Sequence, residues 1–378
     1  MIPFAIVTGD FVRTGGMDRA NFALASYLAR SGHPVRLVAH RVAPELAALP
    51  GVTVRPARKP LGSYFLGRWP LRWAGLRVGR DVLAAGGRVV VNGGNCAVPD
   101  VNWVHYVHAA HRPDQAASRL RGWKGEVERR LDLRAERNAI RSARWVVCNS
   151  DRTRRDVIER LGAEPDRVRT IYYGTDPDQL APATADEWTA LRDQLGWPAK
   201  RPVVIFVGAL GDRRKGFDRL FAAWSMLCKS SEWDAVLAVV GRGAELPRWR
   251  ARTAAAGLDD AIRFLGFCDD VPELMRAADV LGAPRRYAAY GLGVHEALCC
   301  GLPAFVSASA GVAERYPPEL ADLLLPEPDD AHDLAARLRR WRARPDSFRA
   351  RVAPLSARLR AYTWDDMAAA FVRTISET

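Results

Sequence analysis

The sequence predicts an α/β protein of two doubly wound domains, each a parallel sheet between layers of helices. Three observations carry that expectation. At 378 residues the chain is too long for one ordinary hydrophobic core. Short apolar runs alternate with amphipathic stretches, which is the pattern of parallel βαβ units. The alternation pauses after residue 174 and restarts with the strongly apolar "PVVIFVGAL" at 202–210, placing a hinge near 175–200.

The first domain opens on "FAIVTG" (4–9), a buried strand, followed by a helix over 16–33 that ends near Gly32. Further strands are expected at 34–40, 52–57, 88–94 and 101–110, then "ARWVVCNS" (143–150) leading into a helix over 151–162, and a last strand at 167–174. In the second domain the strand at 202–210 leads into a helix over 217–229. The apolar segments 235–243, 262–267, 271–284 and 304–310 follow, and 361–377 forms a closing helix. The expected domains are 1–180 and 181–360, with 361–378 packing back on the first. Ligands of such sheets sit beyond the carboxyl ends of the strands.

Composition narrows the class. With 48% hydrophobic and 26% charged residues, the chain reads as soluble and globular. No uninterrupted apolar run reaches the roughly 18 residues of a membrane span. "MIPFAIVTGDF" lacks a basic leader and a cleavage site and reads as a first strand. Six scattered cysteines without a C-x-x-C pair suit a reducing cytoplasm, and argue against a disulfide framework or a structural zinc. Charge is uneven: residues 1–180 hold 29 Lys and Arg against 17 Asp and Glu, a net of +12, while the rest nets +1. The first half should prefer anionic company. Within it, 55–88 carries eight Lys and Arg, a single acid (Asp81), and Tyr64, Phe65, Trp69 and Trp73. That mixture suits an anionic membrane surface, or an ordinary basic face over core aromatics. No nucleic-acid partner is expected.

Three glycine-containing loops precede helices. Gly15 and Gly16 follow the first strand, where backbone N–H groups at a helix start suit a phosphate; the same pair also serves a plain turn. In "VGALGDRRKGFDRL", Gly208 ends a strand, and Arg213, Arg214 and Lys215 precede a helix. Cations there would neutralise a diphosphate, or simply form a solvated charge run. In "PRRYAAYGLGVHEALCCGLPAF" (284–305), Tyr290, Gly291, Leu292, Gly293 and Val294 offer backbone N–H groups to a helix start, with Glu296 expected in the first turn. A carboxylate there accepts the hydroxyls of a ribose or merely suits the helix dipole.

In these segments the chain resembles the retaining nucleotide-sugar glycosyltransferases of family four, which have the two-domain GT-B fold. The correspondence runs in order through "GHPVRLV", "NSDRTRRDV", "IYYGTD", "FVGALGDRRKGFDRL", "VVGRGAEL" (with Gly241), "IRFLGFCDDVPELMRAADVLGAP" and "YGLGVHEALCCGLPAFVS". The resemblance implies transfer from a UDP-sugar or GDP-sugar to a glycan, lipid-linked or small-molecule acceptor, without a required cofactor or metal. It implies a diphosphate clamp at Arg214 and Lys215, with Ala209 where many members carry a further arginine. Gly291 to Val294 become the phosphate cradle, Glu296 the ribose acid, and Gly16 the loop near the pyrophosphate. His108, with His105 second, becomes the strand-end contact to the reacting sugar. The one D-x-D, Asp176-Pro177-Asp178, lies in the hinge and reads as an acidic turn.

One position departs. The family pairs two glutamates separated by seven residues, and the first would fall at Ala288. Alanine neither reaches the sugar hydroxyls nor stabilises charge at the reacting carbon. Either this branch does without the group, or an otherwise intact site has lost it; the second reading makes this chain a weakened enzyme. Two other classes remain: a nucleotide-sugar-binding protein that has lost transfer, and a sugar-nucleotide epimerase. The expected location is cytoplasmic, or peripheral on the inner face of the membrane.

Overall fold

The computed structural model describes residues 1–111 and 119–376. The chain forms two compact units, Met1–Gly174 together with Trp364–Thr378, and Thr175–Thr363. It therefore leaves the first unit after Gly174, and re-enters it at Trp364.

The first unit is built on strands β1 (Phe4–Val7), β2 (Asp10–Phe11), β3 (Val35–Ala39), β4 (Arg41–Val42), β5 (Val52–Pro56), β6 (Arg88–Asn92), β7 (Val101–Val104), β8 (Trp145–Cys148) and β9 (Val168–Thr170). Seven form one sheet in the order β5-β3-β1-β6-β7-β8-β9, with every pairing parallel, and β2 pairs with β4 beside it. β1 is apolar throughout and wholly buried, as a central parallel strand covered on both faces must be. The helices are α1 (Gly16–Arg30), α2 (Pro44–Ala47), α3 (Tyr64–Ala84), α4 (Arg119–Ser142) and α5 (Asp151–Leu161). Ser150 caps α5 by accepting from Thr153 N at 3.0 Å, which explains why a helix starts directly after a buried strand.

The second unit begins with α6 (Ala185–Gln194), closed by a capping box between Thr184 and Glu187. Its strands are β10 (Val203–Val207), β11 (Val236–Val240), β12 (Ile262–Gly266), β13 (Val280–Ala283), β14 (Ala304–Ser307) and β15 (Leu324–Leu325), in the parallel order β12-β11-β10-β13-β14-β15. Its further helices are α7 (Phe217–Leu227), α8 (Leu246–Ala255), α9 (Val271–Ala277), α10 (Leu292–Cys299), α11 (Ala331–Ala343) and α12 (Pro345–Arg360). The last helix, α13 (Trp364–Ser376), packs on α1 and buries Met367, Ala368, Phe371 and Ile375. The Phe371 ring lies 4.7 Å from that of Trp103, and Arg30 pairs with Asp365 at 2.6 Å. Both sheets are parallel and Rossmann-like.

Two expectations about elements are corrected. The single strand expected over 101–110 pairs only through Val104; the chain then turns, and His108–Ala110 is a 3-10 turn. Side chains end the strand here: Asn149 Nδ2 donates to His105 O at 3.1 Å, and His108 N donates to Glu136 Oε1 at 3.0 Å. The second correction is α3, which lies within a stretch read only for its composition. Pro70 and three glycines lower its helical propensity. Two of those glycines allow close packing instead, since a Cβ on Gly75 would lie 2.8 Å from Val7 Cγ1, and one on Gly67 2.8 Å from His40 Cε1.

Candidate functional site

In the second unit, the loops after β10, β11 and β13 converge at the carboxyl edge of the sheet. Gly241, after β11, stands so close to the loop after β10 that a Cβ on it would lie 2.0 Å from Gly208 O. Arg213–Lys215 forms a 3-10 turn that ends at Gly216, whose φ of 75° and position against Pro284 O leave no room for a side chain. Arg286 N donates to Arg214 O at 2.9 Å, which ties the 213–216 loop to the 284–291 loop.

The cations of this region stand differently. Arg214 forks onto Asp212, Nε to Oδ1 at 2.9 Å and Nη2 to Oδ2 at 2.7 Å. Lys215 is half-buried, and its ammonium is pushed down to about 7, first by the charge of Arg285 and then by burial. Arg285 itself was not singled out from the sequence. It is 7% exposed, and its Nε has no hydrogen-bond partner among the described residues. Its Nη2 reaches only Val207 O, at 3.5 Å. Burial lowers its pKa to about 10, against the opposing pull of Asp212. A Cβ on Gly293 would lie 3.7 Å from Arg285 Nη2, so the guanidinium sits at the start of α10. Its neighbour Arg286 forks onto Asp218 at 2.8 and 2.7 Å and also reaches Asp329 at 2.8 Å. In "PRR" the two arginines are indistinguishable by sequence; only the packing shows that one is neutralised and the other is not.

The helix start is also corrected. α10 begins at Leu292 behind Gly291, so the half-buried Glu296 lies in its second turn, and the expected first-turn position fails. Its attraction to the helix dipole is correspondingly weaker. Val294 N donates to Gly291 O at 2.9 Å, which leaves Leu292 and Gly293 as the N–H groups this turn can offer a ligand. Tyr290 is buried, with its hydroxyl 2.8 Å from His295 Nδ1. Ala288 is 9% exposed, and its carbonyl accepts from Gly311 N at 3.1 Å. The Asp176 stretch is a turn in which Leu180 N donates to Asp176 O at 3.0 Å.

The first unit holds a cavity of about 550 Å³. His105 and His108 both line it, with Asp10, Asp18, Asn92 and Tyr64 among the other walls. His105 is buried, which depresses its pKa to about 3 and keeps it neutral, and its Nδ1 lies 2.5 Å from the Tyr173 hydroxyl. His108 is half-exposed, with Nδ1 3.0 Å from Oε1 of the buried Glu136. Gly15 and Gly16 begin α1, and Asp18 lies in its first turn. Asp10 and Asp18 were missed from the sequence. Their signal was an acid three residues past the end of β1 and another two residues past the glycine pair.

Comparisons with known proteins agree with this architecture. Residues 14–179 match the model of Glycosyltransferase Family 4, and 188–355 that of Glycosyl transferases group 1. The chain is 29% identical over 390 residues to D-inositol 3-phosphate glycosyltransferase of Salinispora tropica, covering 95% of this chain and 79% of that protein. It is 34% identical over 207 residues to 2-deoxystreptamine N-acetyl-D-glucosaminyltransferase of Streptomyces fradiae, covering 54% and 49%. Among solved structures, WaaG, a glycosyltransferase involved in lipopolysaccharide biosynthesis, superposes with a TM-score of 0.78 at 20% identity, covering 99% and 100%. Anabaena HepE in complex with UDP and glucose superposes at 0.74 and 19%, covering 100% of each chain. With two family models matched one after the other on two Rossmann-like parallel sheets, the chain belongs to the GT-B glycosyltransferases of the group 1 and family 4 superfamily.

Proposed function

We propose that the chain moves a sugar from a UDP- or GDP-sugar to an acceptor hydroxyl, with retention at the anomeric carbon, and that Ala288 slows the transfer. The observation that carries the donor reading is Arg285, a buried guanidinium without a carboxylate partner among the described residues, pressing on Lys215. Such a pair is costly until an anion enters between its members, and a diphosphate supplies that anion. Arg285 takes the part that Ala209 leaves empty, from a different loop. Lys215 and Arg285, with Arg214 once it exchanges Asp212 for phosphate, stabilise the leaving diphosphate as the glycosidic bond breaks. Leu292 and Gly293 add backbone N–H donors, and Gly208, Gly241 and Gly291 permit close approach. Glu296 accepts the ribose hydroxyls. Of the two histidines, His108 keeps exposure and a carboxylate behind it, so it contacts the sugar, while His105 supports the wall. The reading needs no metal, because the cations and amides supply the positive charge.

A silent nucleotide-sugar-binding protein is the second reading, favoured by Ala288 alone. Single-turnover assays with Ala288→Glu decide between them. A restored carboxylate should speed transfer by about a hundredfold, the usual effect of one group acting on developing charge, with donor affinity little changed. Equal rates in both forms would mean that other groups do the chemistry. UDP binding without turnover in either form would favour the silent protein.

A further inference from the structure

Building on the glycosyl-transfer reading, we infer that the cavity of the first unit is the acceptor subsite and that it selects a polyol bearing a protonated amine. Its volume of about 550 Å³ falls within the ~300–1,000 Å³ of small-molecule sites. Three acceptor oxygens on its walls are buried without a hydrogen-bond donor among the described residues: Oδ1 of Asp10, Oδ1 of Asp18 and Oδ1 of Asn92. Asp10 and Asn92 are each only 4% exposed. Their remaining polar atoms are held in place. Asp10 Oδ2 accepts from Arg41 at 2.9 Å and from the Tyr64 hydroxyl at 2.7 Å, and Asn92 Nδ2 donates to Trp103 O at 3.2 Å. Native proteins rarely leave several buried acceptors unmatched in one place, so a ligand rich in N–H and O–H donors is the natural complement.

The charge of the walls fixes the ligand's sign. Among the described residues, Asp10, Asp18, Glu128 and Asp132 line the cavity against one arginine, Arg68, which is already paired with Asp132 at 3.0 Å. This is a local reversal inside the basic half of the chain. Asp10 is balanced by Arg41, but Asp18 has no ion pair among the described residues. Burial, and then the charge of Asp10, push the Asp18 carboxyl up to about 6. His105 is neutral and brings no compensating charge. A phosphate entering here meets carboxylates. A neutral polyol satisfies the hydrogen bonds and leaves Asp18 unpaired, whereas an ammonium does both.

Calorimetry on the full chain, with and without UDP at pH 7.5, tests this with 2-deoxystreptamine, myo-inositol and D-inositol 3-phosphate as probes. The aminocyclitol should bind at least tenfold more tightly than myo-inositol, and the inositol phosphate more weakly than either. Asp18→Asn should bring the aminocyclitol down to the level of myo-inositol, and Asp18→Glu should keep the preference, which separates lost charge from lost folding. Equal affinity for the aminocyclitol and myo-inositol, a preference for the phosphate, or no binding of any probe would each overturn the inference. UDP titrated into the same samples reads the donor reading separately, so its failure is told apart from failure of the acceptor site.

Discussion

Lys215 and Arg285 give the proposed donor site a dependence on pH. Lys215 titrates near 7 because a second cation and partial burial disfavour its charge. Between that value and the ordinary ~10.4 of lysine, the unfolded chain binds the proton more tightly, so this group makes folding more favourable as pH rises through the window. An anion reverses the effect by raising the pKa of the bound state. Binding of a UDP-sugar at pH 8 should therefore take up about one proton, and at pH 6 almost none. Calorimetry in buffers of different ionisation heat reads this directly. Uptake that persists in Lys215→Ala would assign the proton elsewhere. Arg285→Ala should weaken UDP-sugar binding by roughly ten- to a hundredfold, the worth of a charged hydrogen bond, while uridine binding stays unchanged. Lys215 could be singled out from its loop, whereas the first-turn place expected for Glu296 failed. Arg285 was not, because its chemistry depends on what it lacks.

Among the elements, α3 presents two different faces. Gly67 and Gly75 press it onto His40 and Val7, while Trp69 and Trp73 stand 51% and 66% exposed on the outside. Arg72, Arg77 and Arg80 are exposed on the same helix, and Leu61 just before it is 95% exposed. Among the described residues no helix is long and apolar enough to cross a membrane, so attachment through α3 would be superficial. We expect the protein to float with vesicles containing anionic lipid at low salt, with each basic residue at the surface adding ~1 kcal/mol. Trp69→Ala with Trp73→Ala should abolish flotation. Equal flotation with neutral vesicles would remove the electrostatic argument. The sequence showed the basic and aromatic composition of this stretch. It concealed the helix, because proline and glycine are poor helix formers and the close packing that Gly67 and Gly75 allow exists only in the folded chain.

In the molecule as a whole, the last helix belongs to the first unit. A chain ending at Thr363 should leave Thr175–Thr363 resistant to protease and expose Met1–Gly174 to it. The truncation strips Met367, Phe371 and Ile375 from a buried face. Large apolar groups of this kind contribute ~2–5 kcal/mol each, against a total stability of ~5–15 kcal/mol for a typical domain. Limited proteolysis of the truncated chain checks this, and equal resistance of both units would refute it. The two doubly wound sheets and the glycine loops could be read from residues a few positions apart, because apolar continuity and turn chemistry are local. The pairing of Arg286 but not Arg285, and the meeting of Asp10 with Asp18 and Asn92 around one cavity, could not. Desolvation and Coulomb energies depend on distance in space, and folding alone decides which charges acquire a partner.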